Sequence, residues 1–395
     1  MAGASPVPPG RDLPRACGLR DLVRYFFRLG ATGFGGPIAL VGLMQRDLVE
    51  HRRWFSPLEY REGLALAQLA PGPLAAQLAM YLGWARAGAR GAAIVGLAFV
   101  LPSFAMVVAL AAAYLELGGL PWIQGAFYGL GAAVIALIAR SALKLTRLTL
   151  GRDALHWSLF ALAALVTAWT ESEIVWVMLG SGVVALLART ARRGPRTATI
   201  LGVAALPPVL VTGLSGPATD ETLLRIAWYF TEAGAFVFGS GLAIVPFLHG
   251  GVVQQFAWLD ERQFLDAVAV AMITPGPVVI TVGFSGYLVA GPAGAVVAAL
   301  ATFLPCYLFT VIPAPHFRRW QQGGSVVAFV GGLTAAATGT IAGAVVVLGH
   351  RAVVDAATAM IALSALFASV WLKKLPEPAL LLVFAIVGVL LQRLS

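Results

Sequence analysis

The chain has 395 residues, of which 59% are hydrophobic and 11% are charged. Soluble domains carry roughly a quarter charged residues, so this composition excludes an ordinary water-soluble globule. The net charge of +9 does not indicate a nucleic-acid partner, because the basic residues lie in short segments between apolar runs, as in the cytoplasmic loops of membrane proteins. Runs of about 20 apolar residues predict an all-α polytopic protein in the lipid bilayer.

The predicted elements of the first half begin after residues 1–20, which we interpret as a cytoplasmic N-terminal tail without a cleavable signal peptide. A glycine-rich break at Gly33-Phe34-Gly35-Gly36-Pro37 precedes a second break at Pro71-Gly72-Pro73. Four apolar runs follow, of which the last two predict a short helical hairpin: Gly91–Leu115, Trp122–Leu143, Ala154–Thr170 and Ile174–Ala188.

The second half repeats this order 204 residues further along the chain. Gly234-Ala235-Phe236-Val237-Phe238-Gly239-Ser240 matches the glycine-rich break, and Pro275-Gly276-Pro277 matches the first Pro-Gly-Pro. At the same offset Trp258 matches Trp54. A duplicated apolar half with helix-breaking clusters at matching places is typical of secondary transporters.

We therefore divide the chain into the tail (1–20), a first repeat (21–196), a connecting span and loop (197–221) and a second repeat (222–395). The connecting apolar run Ala198–Leu214 has no counterpart at the end of the second repeat. One extra span turns the second repeat over in the membrane. The fold is therefore predicted to be an inverted repeat with broken or re-entrant helices.

The charge pattern predicts the orientation. Basic clusters such as those at 189–196 and 373–374 are placed in the cytoplasm, and the loops at Glu171 and Asp220 outside, so the N-terminus lies inside and the C-terminus outside. Both loops beside Pro71-Gly72-Pro73 are basic, which favours a re-entrant element with its two flanks on one side. We predict about nine full spans plus about four broken or re-entrant pieces; the alternative is about 13 full spans.

The breaks predict an anion-binding site. Proline lacks an amide hydrogen and glycine permits close backbone approach, so each Pro-Gly-Pro ends one half-helix and starts another, whose free amides and positive dipole end suit a tetrahedral oxyanion. The predicted substrate-binding residues of the first half are Phe34, Gly35, Gly36, Pro37, Gln68, Pro71, Gly72, Pro73 and Gln77. Those of the second half are Phe238, Gly239, Ser240, Gly241, Thr274, Pro275, Gly276, Pro277 and Thr281. The alternative is that these clusters only kink packed spans.

Several motifs resemble the chromate ion transporter family in its long, two-domain bacterial form. They are Leu29–Pro37, Arg53-Trp54-Phe55, Leu66–Pro73, Tyr81–Trp84 and Phe99–Phe104, with the second-half series through Phe238-Gly239, Trp258 and Pro275-Gly276-Pro277. The resemblance covers the whole chain. It implies export of chromate across the bacterial inner membrane, with sulfate as structural analogue, and chromate resistance. Leu40 departs from the pattern, since the family is expected to have a histidine there; the resemblance therefore does not support proton coupling through this position.

Other functions remain as alternatives. The physiological substrate is alternatively sulfate or another oxyanion. A membrane-embedded reductase needs a flavin, haem or metal site, and the sequence shows no motif for one. The sequence also has no phosphate-cradling Gly-Lys-Ser/Thr motif, which argues against transport driven by ATP. We predict a transporter rather than an enzyme or a sensor, without cofactor or metal, assembled as a homodimer. We also expect no carboxylate securely inside an apolar run, so export should follow the membrane potential.

Overall fold

The computed structural model describes residues 17–34, 36–117, 119–171, 175–191, 219–237, 241–317, 324–372 and 375–394. Within these ranges the chain forms helices and no β-strand. The predicted connecting span Ala198–Leu214 lies outside the described residues, as do the basic residues at 192–196, 318–319 and 373–374.

The order of helices is the same in both halves. Those of the first half are α1 (Leu19–Thr32), α2 (Gly36–Met44, continued by a π-helical turn at Gln45–His51), α3 (Pro57–Leu69), α4 (Leu74–Leu117), α5 (Pro121–Thr149), α6 (Ala154–Thr170) and α7 (Val175–Ala191). Those of the second half are α8 (Asp220–Phe236), α9 (Ile244–Leu248, between a 3-10 turn at Gly241–Ala243 and a π-helical turn at His249–Gln255), α10 (Glu261–Ile273), α11 (Thr281–Val311, after a 3-10 turn at Val278–Ile280), α12 (Gly324–Ala352), α13 (Ala356–Trp371) and α14 (Glu377–Leu394).

Several of these helices suit a membrane. In the described part of the chain, α4, α5, α11 and α12 are long and apolar enough to cross a bilayer, while α6, α7 and α13 are apolar but shorter. The protein is therefore an all-α polytopic membrane protein, and the prediction of this fold class from composition is confirmed.

Helix α4 folds back on itself at Ala87 and Gly88. Gly88 has φ 59°, and the two arms are 74–86 (α4a) and 89–117 (α4b). A Cβ atom on Gly83 would overlap the carbonyl oxygen of Gly91, so the arms pack backbone to backbone where only glycine fits. α11 turns in the same way at Ala290 and Gly291. We call the arm after this turn α11b (292–311) and the arm before it, together with the preceding 3-10 turn, α11a (278–289).

Helices α3 and α4a form an antiparallel hairpin with Pro71-Gly72-Pro73 at its tip. Gly63 of α3 packs against the ring of Tyr81 in α4a, and Glu59 pairs with Arg86 at 3.3 Å. These pairs lie at equal distances along the chain on either side of the tip, so both flanks return to the same end. A single span through Pro71-Gly72-Pro73, which the 13-span alternative needs, is incompatible with this hairpin. α4a extends for about 20 Å, less than the hydrocarbon thickness of about 30 Å.

Local backbone features recur at the same offset in the two halves. Both π-helical turns end next to a non-glycine residue with positive φ, Arg53 (54°) and Ala257 (47°). Each is followed by a capping box, with Ser56 at the start of α3 and Asp260 at the start of α10. A capping residue satisfies the first free amides of a helix, so each box fixes where an arm of a Pro-Gly-Pro hairpin begins.

Helices α4b and α11b run in opposite directions. The hydroxyl of Tyr307, near the end of α11b, donates to the carbonyl oxygen of Ala89 at the start of α4b, at 3.2 Å. Gly283 of α11a, which folds back beside α11b, lies against Phe104 in α4b. A two-fold axis in the membrane plane relates equivalent helices in this antiparallel manner. The contact supports the inverted repeat, which itself stays a prediction.

The last two helices of each half pack on the other half. A Cβ atom on Gly332 in α12 would overlap the carbonyl oxygen of Ser181 in α7, and one on Gly129 in α5 would overlap that of Phe384 in α14. Gly339 of α12 makes the same kind of contact with Phe160 in α6. The hairpin α6–α7 thus packs on α12, and α13–α14 packs on α5. The two predicted repeats are interlocked rather than side by side.

Charged contacts define two ends of the molecule. At one end Arg351 pairs with Glu171 and with Glu261, which also contacts His249 at 2.9 Å. At the other end lie the Glu59–Arg86 pair and the start of α4b. The residues grouped at the first end belong to loops predicted outside, and those at the second end to loops predicted in the cytoplasm. Which end faces the cytoplasm stays a prediction.

Cysteine labelling tests this orientation. In a background with Cys17→Ser and Cys306→Ser, single cysteines at Ser172 and Thr219 are expected to react with an impermeant maleimide applied to intact cells. A cysteine at Arg192 is expected to react only after the membrane is opened. The opposite pattern, with residue 192 labelled from outside and the other two protected, would reverse the assignment.

Candidate functional site

The first Pro-Gly-Pro break is a tight, buried turn. α3 ends at Leu69, the C-cap residue Ala70 has an extended backbone, and Gly72 has φ 140°. A Cβ atom on Gly72 would lie 2.6 Å from the side-chain nitrogen Nε2 of Gln77 and 3.0 Å from Cys306 Sγ. In the second half Gly276 has φ 99°, and a Cβ atom there would overlap Ser103 Oγ. Glycine is therefore required at both tips, for conformation and for space.

Each Pro-Gly-Pro tip contacts the glycine-rich break of the opposite half. The Gly72 N–H donates to the carbonyl oxygen of Val237 at 2.5 Å, and the Gly276 N–H donates to that of Gly33 at 2.9 Å. Val237 and Gly33 are matched positions of the repeat. A reciprocal exchange of this kind is the contact pattern of a two-fold axis. The breaks predicted to converge therefore do meet, each with its partner from the other half.

The predicted site residues differ in burial. The buried ones are Gly72, Pro73, Gln77, Gly241, Thr274, Pro275, Pro277 and Thr281. The partly buried ones are Gly36, Pro37, Pro71 and Gly276. Phe34 and Gln68 are exposed, and Gln68 lies on the outer face of α3. Gly35, Phe238, Gly239 and Ser240 lie outside the described residues.

Most polar side chains at the breaks already have local partners. The hydroxyl of Thr281 donates to the Val278 carbonyl oxygen at 2.8 Å, and that of Thr274 donates to Ala271 at 3.1 Å. Gln77 Nε2 donates to the Pro71 carbonyl oxygen at 2.6 Å, while its buried Oε1 has no hydrogen-bond partner. These hydroxyls are therefore not free donors for an anion.

The remaining donors are backbone amides. At the start of α4a the Gln77 N–H donates to the carbonyl oxygen of Pro73, four residues earlier, at 3.0 Å. The amides before it, at 74–76, occupy the first turn, where a helix has no internal acceptors. Together with the helix dipole, such amides attract an anion. In the second half α11a begins with a 3-10 turn at Val278–Ile280 in the same place.

The sequence analysis did not single out two residues that contact the tips. Ser103 and Cys306 are each fully buried, and each lies next to a glycine of a Pro-Gly-Pro tip from the other half. The signal for them was available, because each directly follows a proline, Pro102 or Pro305, that is matched across the repeat.

One carboxyl group is buried although it does not lie in a long apolar run of the sequence. Asp266 in α10 is only 3% exposed, and the Tyr114 hydroxyl of α4b donates to its Oδ2 at 2.8 Å. The apolar stretch of sequence around Asp266 is too short to predict that this side chain is buried. Its burial comes from the packing of α10 against α4b and α5. Among the described residues, no group of three or more His, Cys, Asp or Glu side chains could hold a metal ion.

A cavity of about 690 Å³ lies beside Asp266, between α5, α10, the α12–α13 connection and α14. Its ionisable lining residues are Glu261, Arg262, Asp266, Arg351 and Asp355. The Thr358 amide and the Tyr128 hydroxyl hydrogen-bond to the carboxylate of Asp355 and hold its pKa below the usual value, so Asp355 stays ionised near neutral pH. The carboxylates of Glu261 and Asp355 balance the two guanidinium groups, so this opening has no net positive charge to attract an anion.

Broken helices whose tips bind the glycine-rich breaks of the other half, inside an apolar helical protein, are features of membrane transporters. The sequence model described as "Chromate transporter" matches residues 20–186 and again residues 224–389. The chain belongs to the chromate transporter family.

Curated relatives agree over nearly the whole chain. The chromate transport protein of Cupriavidus metallidurans is 55% identical over 370 residues, which cover 94% of this chain and 92% of the relative. The probable chromate transport protein of Synechococcus elongatus is 57% identical over 377 residues, covering 95% and 96%. The chromate transport protein of Pseudomonas aeruginosa is 29% identical over 343 residues, covering 85% and 80%. No solved structure matches the chain.

Proposed function

We propose that the protein exports chromate from the bacterial cytoplasm across the inner membrane, driven mainly by the membrane potential, and thereby confers chromate resistance. The observation that carries the proposal is the reciprocal contact between the two Pro-Gly-Pro tips and the opposite glycine-rich breaks. The names of the relatives support chromate as the substrate. Sulfate, which shares the tetrahedral shape and charge of chromate, is the expected competitor, and the alternative physiological substrate.

The proposed binding site uses backbone rather than side-chain charge. Amides at the start of α4a and α11a donate to the oxygens of the anion, and the positive ends of the two helix dipoles face it. Each dipole end is equivalent to about half a positive charge, so the two ends together offset about one charge of a divalent anion. Incomplete neutralisation allows release as well as binding, as transport requires.

The distribution of fixed charge supports export as the direction. The loops at 45–62 and 86–90, predicted to be cytoplasmic, carry six arginines against four acidic residues, and this excess of two positive charges raises the local concentration of an anion. The cavity at the opposite end has no net positive charge to draw the anion back. Moving one charge across 100 mV is worth about 2.3 kcal/mol, so a divalent anion that leaves an inside-negative cell gains about 4.6 kcal/mol. Export therefore needs no coupled proton.

Flux into membrane vesicles of defined orientation tests the proposal. In inside-out vesicles, radiolabelled chromate is expected to accumulate when a potassium diffusion potential makes the lumen positive, with equal pH on both sides. Sulfate should compete. Recovery of the label as unreduced chromate separates transport from reductase activity, and vesicles without the protein give the background.

A pH gradient with the potential clamped at zero is expected to drive little movement. Asp266→Asn, which keeps the size of the side chain, should then leave potential-driven flux intact. Strong flux under the pH gradient alone, abolished by Asp266→Asn, would replace the uniport proposal with proton coupling through this buried carboxyl group. Absence of chromate flux under every gradient would contradict the proposed function itself.

A further inference from the structure

Two small polar side chains join the halves of the molecule at the Pro-Gly-Pro tips. Ser103 lies in α4b and Cys306 in α11b, one residue after the in-helix prolines Pro102 and Pro305. Both side chains are fully buried. Each lies against the Pro-Gly-Pro tip of the other half.

At the tip of the second half, Ser103 fills the space beside Gly276. Its hydroxyl donates to the carbonyl oxygen of Gly30 at 3.2 Å, and Ser103 Oγ occupies the position that a Cβ atom on Gly276 would need. The Gly276 N–H in turn donates to Gly33, one turn of α1 beyond Gly30. α1, α4b and the opposite tip therefore meet around one hydroxyl group.

At the tip of the first half, Cys306 makes the matching contacts. Its thiol lies 3.7 Å from the carbonyl oxygen of Gly234 and 3.3 Å from that of Thr302, and it stands 3.0 Å from the Cβ position of Gly72. The Gly72 N–H donates to Val237, one turn of α8 beyond Gly234. The arrangement repeats the first one with sulfur in place of oxygen.

The supporting backbone leaves little freedom. A Cβ atom on Gly30 would overlap the carbonyl oxygen of Phe99, and one on Gly234 would overlap that of Thr302. α1 therefore packs backbone to backbone on α4b one turn before Ser103, and α8 packs in the same way on α11b one turn before Cys306. Between the halves, each tip is held by one amide hydrogen bond plus contact with the hydroxyl or the thiol, and the first tip has in addition the Gln77–Pro71 hydrogen bond of its own half.

We infer that Ser103 and Cys306 are positioning residues for the two Pro-Gly-Pro tips, which they hold so that the first-turn amides of α4a and α11a point at one oxyanion. This role rests on the proposed binding of the oxyanion at the breaks. A side chain of this size fits beside the glycine. A branched one displaces the tip, and alanine leaves a Gly30 or Gly234 carbonyl oxygen without its donor.

Transport kinetics with paired substitutions tests the inference. Ser103→Val and Cys306→Val are expected to raise the KM for chromate more than tenfold with a smaller fall in maximal rate, because the first-turn amides of α4a and α11a no longer point at the anion. Ser103→Ala and Cys306→Ala should raise KM about two- to tenfold, the value of one hydrogen bond. The exchanges Ser103→Cys and Cys306→Ser, singly and together, should keep KM within about twofold of the unmodified protein.

A buried hydroxyl remote from the tips serves as the control. Ser369 in α13 is buried and donates to the carbonyl oxygen of Leu366 at 2.7 Å, and α13 packs on α5 and α14, so Ser369→Val changes a buried hydroxyl away from the tips. It is expected to leave KM unchanged, whatever it does to the melting temperature. Valine variants at 103 and 306 that lower only the amount or the melting temperature of the protein, at unchanged KM, would overturn the inference. Lack of chromate flux in the unmodified protein would instead contradict the proposed function.

Discussion

Gly72→Val and Gly276→Val are each expected to abolish chromate transport while the protein still reaches the membrane. The two glycines have φ angles of 140° and 99°, which a branched residue adopts only with strain of about 1–3 kcal/mol. The added side chain at Gly72 meets Gln77 and Cys306, and that at Gly276 meets Ser103. Since the tips can only move away from these neighbours, the amide hydrogen bonds to Val237 and Gly33 break.

Flux in inside-out vesicles, with membrane content measured by immunoblot, checks this result. Gly180→Val in α7 is the matched control, because nothing lies within 4 Å of its Cβ position and its φ is not positive. That variant should transport normally. If Gly72→Val and Gly276→Val transported chromate with normal KM, the breaks would only be kinks and the substrate site would lie elsewhere.

The positions of the breaks follow from the sequence because their causes are local. Proline removes an amide and glycine allows positive φ wherever the chain folds, so Pro71-Gly72-Pro73 ends a helix irrespective of its neighbours. The same holds for the fold class, which composition determines. The basic loops on both sides of this tip also predicted a re-entrant hairpin, which agrees with the antiparallel packing of α3 on α4a.

Contacts between the halves were not predictable from the sequence. The pairing of Gly72 with Val237 and the burial of Asp266 against Tyr114 join residues more than 100 positions apart, and no periodicity in one segment reports on them. Ser103 and Cys306 differ in chemistry, so identity across the repeat did not mark them. Their shared place after a matched proline was the signal, and it becomes meaningful only beside the opposite tip.

Leu40 is an apolar residue at a position next to the glycine-rich break. The position is expected to hold a histidine in the family, yet here Leu40 is 2% exposed and packs against Gly33, whose carbonyl oxygen accepts from Gly276. Its matched residue, Ile244, is fully buried as well. Both halves therefore carry an apolar support beneath the glycine-rich break, which favours transport without a proton carrier at this position.

Cutting the chain between Arg196 and Thr197 is expected to give two fragments that transport chromate only together. Each fragment contains one Pro-Gly-Pro tip and one glycine-rich break, and the tips need the breaks of the other fragment. The helical hairpins that each half packs on the other give a second reason why the fragments need each other. α6–α7 in 1–196 must pack on α12 in 197–395, and α13–α14 must pack on α5.

Co-expression of differently tagged fragments, followed by affinity purification and vesicle flux, measures this dependence. The pair should co-purify and transport, whereas either fragment alone should show no flux above background. Gly332→Leu is the informative variant, because the new side chain would overlap the Ser181 carbonyl oxygen where α12 packs on α7. It should weaken co-purification of the fragments far more than it weakens transport by the intact chain, in which the covalent link keeps the halves together. Transport by 1–196 alone would contradict the interlocked arrangement, since one fragment would then supply both members of every contact.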